Sequence, residues 1–255
     1  MSWLVLLNPG ILIVFALVLA RVAGILVTAP IYGGPEIPPQ VRVVLAVVLA
    51  LLVTPVQMGR LASSPATMVD LLLVMAGESL IGIILGLGVL VLLAGMQLAG
   101  QIIAQMSGMS IGEVFNPTLD TSLPLFSHLL NMFALALFAL IGGHRLLLAA
   151  LLDTFEAMPP GGVVFDDSIV EITSTLMSQS FSLGIRVAAP ATAALLLSNM
   201  ILGIISRTLP QLNVLSFGFG FSALITFGAL WLSLGGMEVV FQDQLEPILE
   251  TLLHQ

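Results

Sequence analysis

Three glutamines near the middle of the chain are spaced to lie on one face of a helix. Gln97, Gln101 and Gln105 recur every four residues in an otherwise apolar segment, so they form one polar stripe if that segment is helical. Such a stripe can hydrogen-bond to neighbouring helices. Alternatively, it lines an aqueous path, and both interpretations are open at this point.

The segment that follows the stripe has the composition of an obstruction. It consists of Met106, Ser107, Gly108, Met109, Ser110, Ile111 and Gly112. Methionine is flexible and apolar, and glycine lets the backbone fold tightly. If the glutamines line a path, we expect this loop to block it.

Two arginines lie inside apolar segments, where a lone charge is unfavourable. Arg21 and Arg186 would each cost at least about 2.5 kcal/mol in hydrocarbon. Each is therefore either paired in a pathway or a subunit contact, or extended toward lipid headgroups. Arg21 is near the middle of its predicted helix, where reaching the headgroups is hardest.

Catalytic chemistry has little support in the sequence. There is no glycine-rich phosphate loop, no HExxH motif and no Gly-x-Ser-x-Gly elbow. The histidines, His128, His144 and His254, are far apart, and the chain has no cysteine, which excludes disulfides and thiolate metal sites. We predict no enzymatic activity, no cofactor and no metal site.

The composition is that of a protein embedded in a membrane. Of the 255 residues, 58% are hydrophobic and only 8% are charged, against about 25% in a soluble domain. The six cations are all arginines and none is adjacent to another, which argues against nucleic-acid binding. Membrane lipid is the expected surrounding.

The apolar stretches are long enough for helices and too long for the alternating strands of a membrane β-barrel. We predict an all-α protein with about six long, kinked hydrophobic helices. The predicted segments are 11–29, 41–56, 69–105, 125–155, 169–206 with Pro190 inside it, and 214–239. The third would measure about 55 Å, so it either projects beyond the bilayer or folds into a hairpin.

Several motifs, in order along the chain, resemble the FliR family of flagellar biosynthetic proteins and its injectisome counterpart SctT. The central one is residues 105–110 followed by Phe115, Asn116 and Pro117. The others are Ala29-Pro30 with residues 37–42, Gly143-His144 with residues 153–155, Met158-Pro159, and Arg207 with Pro210, Gln211, Leu212 and Asn213.

The resemblance implies a non-enzymatic subunit of the type III protein-export gate in the bacterial inner membrane, at the flagellar basal body. It implies FliP-like, FliQ-like and FlhB-like partner subunits and unfolded flagellar proteins in transit. The family fold suggests a FliP-like part, 1–165, followed by a FliQ-like helical hairpin, 166–255, with a C-terminal amphipathic tail. Residues 106–122 correspond to the family's plug-like loop, and Arg21, Arg186, Arg207, Pro210 and Gln211 are candidates for assembly or structure.

Other functions remain open on the sequence alone. The glutamine stripe and the isolated arginines would also suit a small-solute transporter or channel. Such a transporter often contains internal repeats, and none is evident. The SctT-like role in an injectisome is a further alternative.

Overall fold

The structure, a computed structural model, describes residues 9–34, 37–62, 65–108, 124–162, 168–208, 218, 220–231, 236–237, 239–241 and 243, with the side chains of 168–172 left out. The regular elements in these ranges are helices, which confirms the all-α prediction. They are α1 Pro9–Thr28, α2 Pro39–Gln57, α3 Met68–Ser107, α4 Leu125–Leu140, α5 Gly143–Ala157, α6 Ser168–Thr208 and the short α7 Gly220–Trp231.

Four of the described helices are long and apolar enough to cross a membrane: α1, α2, α3 and α6. The α4–α5 pair would provide a fifth crossing if its two helices act together. The expected six long helices are therefore an approximation, because one of them is divided and the last is described only over Gly220–Trp231.

The predicted helix over 125–155 is wrong as a single element. It is interrupted at Ile141 and Gly142, between α4 and α5. Gly142 has a φ of 80°, a left-handed conformation that residues with a Cβ rarely adopt. The apolar pattern continues through this point, so hydrophobicity alone could not reveal the break.

Helix starts follow local chemistry that is visible in the sequence. Pro39 occupies the first turn of α2, where the missing backbone N–H has no helical partner to lose. At the start of α3, the Thr67 backbone N–H donates to Asp70 Oδ2 at 3.0 Å, and the Asp70 N–H donates to Thr67 Oγ1 at 3.1 Å. This reciprocal cap begins a 40-residue helix without a break, about 60 Å long.

The chain divides into two compact units. The first contains residues 1–90, 142–175 and 246–255, and the second contains 91–141 and 176–245. α3 and α6 each contribute residues to both units. The two units are described separately below.

The first unit is organised around a fully buried arginine. Arg21 of α1 has no solvent-exposed surface, and its Nε donates to Glu78 Oε2 of α3 at 2.6 Å. Its Nη1 donates to the Thr154 carbonyl oxygen at 3.0 Å, and its Nη2 donates to the Met158 carbonyl oxygen at 3.0 Å. The guanidinium also lies 4.2 Å from the ring centre of Phe155. One side chain therefore joins α1, α3 and the C-terminal end of α5.

Glu78 extends the same network to the turn after α5. Its Oε1 accepts a hydrogen bond from the Gly161 backbone N–H at 2.9 Å. The neighbouring Pro160 carbonyl oxygen accepts from the Ala62 N–H at 3.0 Å, which attaches the turn to the residues after α2. We call Arg21, Glu78, Thr154, Met158 and Gly161 the buried clasp. Both of its charges are neutralised inside the unit, as burial away from water requires.

Small residues allow α1 and α3 to come close enough for the clasp to form. A Cβ on Gly82 would collide with the Arg21 carbonyl oxygen and would lie 2.8 Å from the Ile25 nitrogen. A Cβ on Gly24 would collide with the Ser79 carbonyl oxygen. Backbone meets backbone here, so no side-chain rearrangement can make room.

Glu78→Gln should destabilise the protein by about 3–5 kcal/mol, because it leaves the Arg21 guanidinium buried without a counter-charge. Glu156→Gln is the matched control, since Glu156 is an exposed carboxylate on α5. Thermal unfolding in one detergent measures both. Equal melting temperatures for the two variants would show that the buried ion pair does not stabilise the fold. Replacing Arg21 and Glu78 together with methionine should cost less than either single change.

Gly82→Ala should also destabilise the protein, by about 1–3 kcal/mol, because the added methyl group pushes α1 away from α3. Gly203→Ala makes the same change on α6, where a Cβ would meet nothing within 4 Å. That variant should be neutral or stabilised by up to about 1 kcal/mol through helix propensity. Chemical unfolding of the two variants beside the unmodified chain checks the difference, and similar losses in both would contradict the close contact.

Candidate functional site: the glutamine stripe and the end of α3

The candidate site lies entirely in the second unit, where α3 runs beside α6. The two helices approach closely at two glycines. A Cβ on Gly184 would lie 2.8 Å from the Gly95 carbonyl oxygen, and a Cβ on Gly95 would lie 2.5 Å from the Ser180 carbonyl oxygen. Ser180 Oγ donates to the Val91 carbonyl oxygen at 2.6 Å. Small residues and one serine therefore hold the helices together at this level.

Two of the three predicted glutamines line a groove between these helices. Gln97 and Gln101 are half-buried and contribute to a cavity of about 320 Å³. The remaining lining is mostly apolar and comprises Val91, Ala94, Leu98, Met177, Ser180 and Phe181. Gln105 lies beyond the groove and is exposed. Gln97 and Gln101 therefore form a polar edge of the cavity, whereas Gln105, one turn further along α3, lies on the surface.

α4 holds the backbone beneath the stripe. Ser127 Oγ donates to the Gln97 carbonyl oxygen at 3.1 Å. The two helices touch at Gly100, where a Cβ would collide with the backbone of Ser127. Phe126 is completely buried and its ring lies 5.5 Å from that of Phe227 on α7. Packing against α4 therefore holds this part of the α3 backbone in place.

α3 ends in a defined cap at the start of the segment predicted to be a plug-like loop. Ser107 is buried and its Oγ donates to the Ala104 carbonyl oxygen at 2.9 Å. Gly108 has a φ of 74°, the left-handed conformation that commonly terminates helices. Asn199 of α6 donates its Nδ2 hydrogen to the Met106 carbonyl oxygen at 3.1 Å. The point at which the chain leaves α3 is therefore positioned by α6.

The rest of the predicted loop lies outside the described residues. This applies to Met109, Ser110, Ile111, Gly112, Phe115 and Pro117, and also to Pro210 and Gln211. Within the described ranges, no three histidine, aspartate or glutamate side chains converge as metal ligands.

The three arginines selected from the sequence have different surroundings. Arg21 belongs to the buried clasp of the first unit, so its side chain does not extend to headgroups. Arg186 is exposed in the middle of α6. Arg207 is exposed in the last turn of α6, where a cation interacts favourably with the negative end of the helix dipole.

Sequence reasoning missed two residues that position these groups. Glu78 is the one carboxylate of α3 beyond its first turn, and Arg21 is the one cation of α1, and this opposite pairing was the available signal. Asn199 is a lone amide in an apolar stretch of α6, which could have suggested an interhelical hydrogen bond. In both cases the partner could be identified only after the helices were packed.

Comparisons with known proteins extend over nearly the whole chain. Residues 12–248 match the family model described as bacterial export proteins, family 1. The chain is 28% identical over 237 residues to the flagellar biosynthetic protein FliR of Caulobacter vibrioides, covering 93% of this chain and 94% of that protein.

Two further relatives show the range of the similarity. The flagellar biosynthetic protein FliR of Escherichia coli strain K12 is 31% identical over 215 residues, which cover 82% of this chain and 79% of that protein. The secretion system apparatus protein SsaT of Salmonella typhimurium is 27% identical over 158 residues, covering 62% of this chain and 61% of that protein. Because the family model matches almost the full length, the chain belongs to family 1 of the bacterial export proteins.

Proposed function

We propose that this chain is a non-enzymatic subunit of the flagellar type III protein-export gate and forms part of the channel through which unfolded flagellar proteins leave the cytoplasm. The observation that carries the proposal is the match to the flagellar biosynthetic protein FliR of Caulobacter vibrioides, which covers nearly the full length of both chains. The match to SsaT covers a smaller share of both chains, so the flagellar role is preferred to the injectisome role.

The channel role is supported by the chemistry of the second unit. Gln97 and Gln101 place amide groups along a mostly apolar groove between α3 and α6. A translocating chain exposes backbone and side-chain polar groups of every kind, and amides can both donate to and accept from them. A surface without fixed charge suits cargo of varied sequence.

The gating role is supported by the way α3 ends. Ser107, Gly108 and Asn199 terminate the helix at one defined point, from which residues 109–123 continue. In the proposal, the segment from Met106 to Gly112, with Phe115 and Pro117, closes the channel at rest. The closed state should be only a few kcal/mol below the open one, since the gate must open repeatedly.

The proposal places the protein in the bacterial inner membrane, at the flagellar basal body, with FliP-like, FliQ-like and FlhB-like subunits. Residues 1–165 would form the FliP-like part and residues 166–255 the FliQ-like hairpin. Support comes from α2, which is long enough to span a membrane. Only 17% of its most apolar 18-residue stretch is buried within this chain. Val44, Leu52 and Val56 on this helix are each more than half exposed and need lipid or protein cover.

Co-expression with FliP-like and FliQ-like subunits tests the assignment. The tagged chain should copurify with both partners from detergent-solubilised membranes, whereas the chain expressed alone should aggregate because its polar and apolar surfaces lack partners. A chain that is monodisperse and thermally stable alone, and that recovers neither partner, would contradict the subunit role and favour a self-sufficient transporter.

Deleting Ser107 to Ser110 should raise the ion conductance of bilayers containing the assembled complex, because the shortened segment can no longer close the channel. Asn199→Ala should shift conductance in the same direction by a smaller amount, since it frees the Met106 carbonyl and loosens the end of α3. Thr192→Ala is the matched control on α6, because the Thr192 hydroxyl bonds only within its own helix, to the Ala189 carbonyl oxygen.

Assembly must be verified in each of these variants before conductance is compared. Unchanged conductance in a fully assembled deletion complex would contradict the plug role of this segment. The subunit assignment, which depends on copurification, would be unaffected by that result.

A further inference from the structure

One cation interrupts the exposed apolar surface of α6. Arg186 is exposed, and its neighbours Phe181 and Ile185 are 56% and 60% exposed. Within the described ranges the guanidinium has no ion-pair or hydrogen-bond partner; the ion pair found there joins Arg21 to Glu78. A carboxylate that pairs with Arg186 must therefore come from outside the described part of this chain.

The same turn of α6 also lacks one regular helical hydrogen bond. Pro190 is four residues after Arg186 and has no backbone N–H, so the Arg186 carbonyl oxygen loses its usual helical donor. Pro190 is exposed as well, and Ser182, one turn earlier, is half-buried. Ser182, Arg186 and Pro190 therefore lie in a line on α6 at a spacing of four residues, here called the Arg186 face.

Lipid alone does not suit this surface. Exposed apolar side chains on α6 extend from Met177 to Ile204, about 40 Å along the axis, whereas the hydrocarbon of a bilayer is about 30 Å thick. Arg186 lies inside this length, about 14 Å from Met177. A bilayer placed with Arg186 at headgroup level would leave Met177, Phe181 and Ile185 outside the hydrocarbon.

The carboxylates in the described part of this chain lie near helix ends, after α7 or in an existing ion pair. Among the described residues, Asp70 lies in the first turn of α3, Asp153 and Glu156 lie in the last two turns of α5, and Asp243 is exposed after α7. Glu78 is inside an apolar helix, but it is buried and already paired with Arg21. None of these described carboxylates is both exposed and in the middle of an apolar helix, so we look for the counter-charge on a different membrane subunit.

We propose that the Arg186 face docks an apolar helix of another membrane subunit that carries a glutamate or aspartate at this level. An arginine–carboxylate pair can form two parallel hydrogen bonds and is strong where water is excluded. A hydroxyl or amide on the same partner helix could donate to the Arg186 carbonyl, which lacks its usual helical donor. The inference rests on the proposed function, in which the chain is one subunit of a larger assembly.

Arg186→Glu in the co-expressed complex tests the docking. The charge reversal should lower recovery of partner subunits roughly tenfold or more, because two carboxylates would then face each other away from water. Arg60→Glu is the matched control, since Arg60 is an exposed arginine in the turn after α2. That variant should recover the partners at the wild-type level. Arg186→Lys should be intermediate, because lysine cannot form the two-pronged contact.

Charge reversal in the partners separates docking from misfolding. Glutamates and aspartates inside the partners' apolar helices are changed to arginine one at a time, and one of these changes should restore assembly with Arg186→Glu. A photocrosslinking residue at the exposed position of Ala189, with Arg186 intact, should react with a partner subunit.

Three results would overturn the inference. The first is wild-type recovery of partners by Arg186→Glu. The second is full activity and assembly of Arg186→Lys with no rescue by any partner reversal, which indicates a headgroup contact. The third is crosslinking at position 189 only to lipid or to a second copy. Failure of the unmodified chain to recover partners would instead count against the proposed function.

Discussion

A guanidinium with no access to water must have its charge and its donors matched inside the protein, and Arg21 imposes this requirement on the first unit. Its partners are far apart along the chain: Glu78 on α3, Thr154 on α5 and Met158 just after α5. Each contact fixes both the distance and the rotation of a helix. Apolar side chains can slide over one another at little cost, whereas a misplaced donor in a low-dielectric interior costs several kcal/mol. The clasp therefore selects one packing arrangement among many that bury similar area.

The clasp in turn depends on residues with no polar side chain. Gly24 and Gly82 bring the backbones of α1 and α3 into contact, so that Arg21 and Glu78 meet at 2.6 Å. The second unit follows the same rule with different residues. Gly95 and Gly184 bring α3 to α6, Ser180 bonds across the contact, and the glutamine groove lies beside it. Hydrophobicity drives little association between helices surrounded by lipid or other helices, so close backbone contact and single hydrogen bonds determine the geometry.

Polar groups also distinguish the interior of the chain from its contact surfaces. Arg21 is satisfied internally, whereas Arg186 is exposed among apolar side chains without a partner in the described residues. The difference has a functional meaning in a protein of an export family. In the proposed assembly, the Arg186 side chain is left for a neighbouring subunit, on a turn of α6 where Pro190 removes one helical hydrogen bond.

The sequence by itself determined the all-α class, the membrane character and most helix positions, because long charge-free apolar runs have few other structures available to them in a membrane. Ordered motifs also led to the export family, and the spacing of Gln97 and Gln101 correctly placed them on one helical face. The tertiary structure alone decided that Arg21 pairs with Glu78, that Gln105 lies outside the groove, and that Asn199 positions the end of α3. It also revealed the break at Gly142, where the apolar pattern is continuous and only the backbone conformation changes. The physical reason is common to the first three: periodicity describes one helix at a time, whereas a partner is defined by the rotation and separation of two helices, which depend on packing across the whole unit.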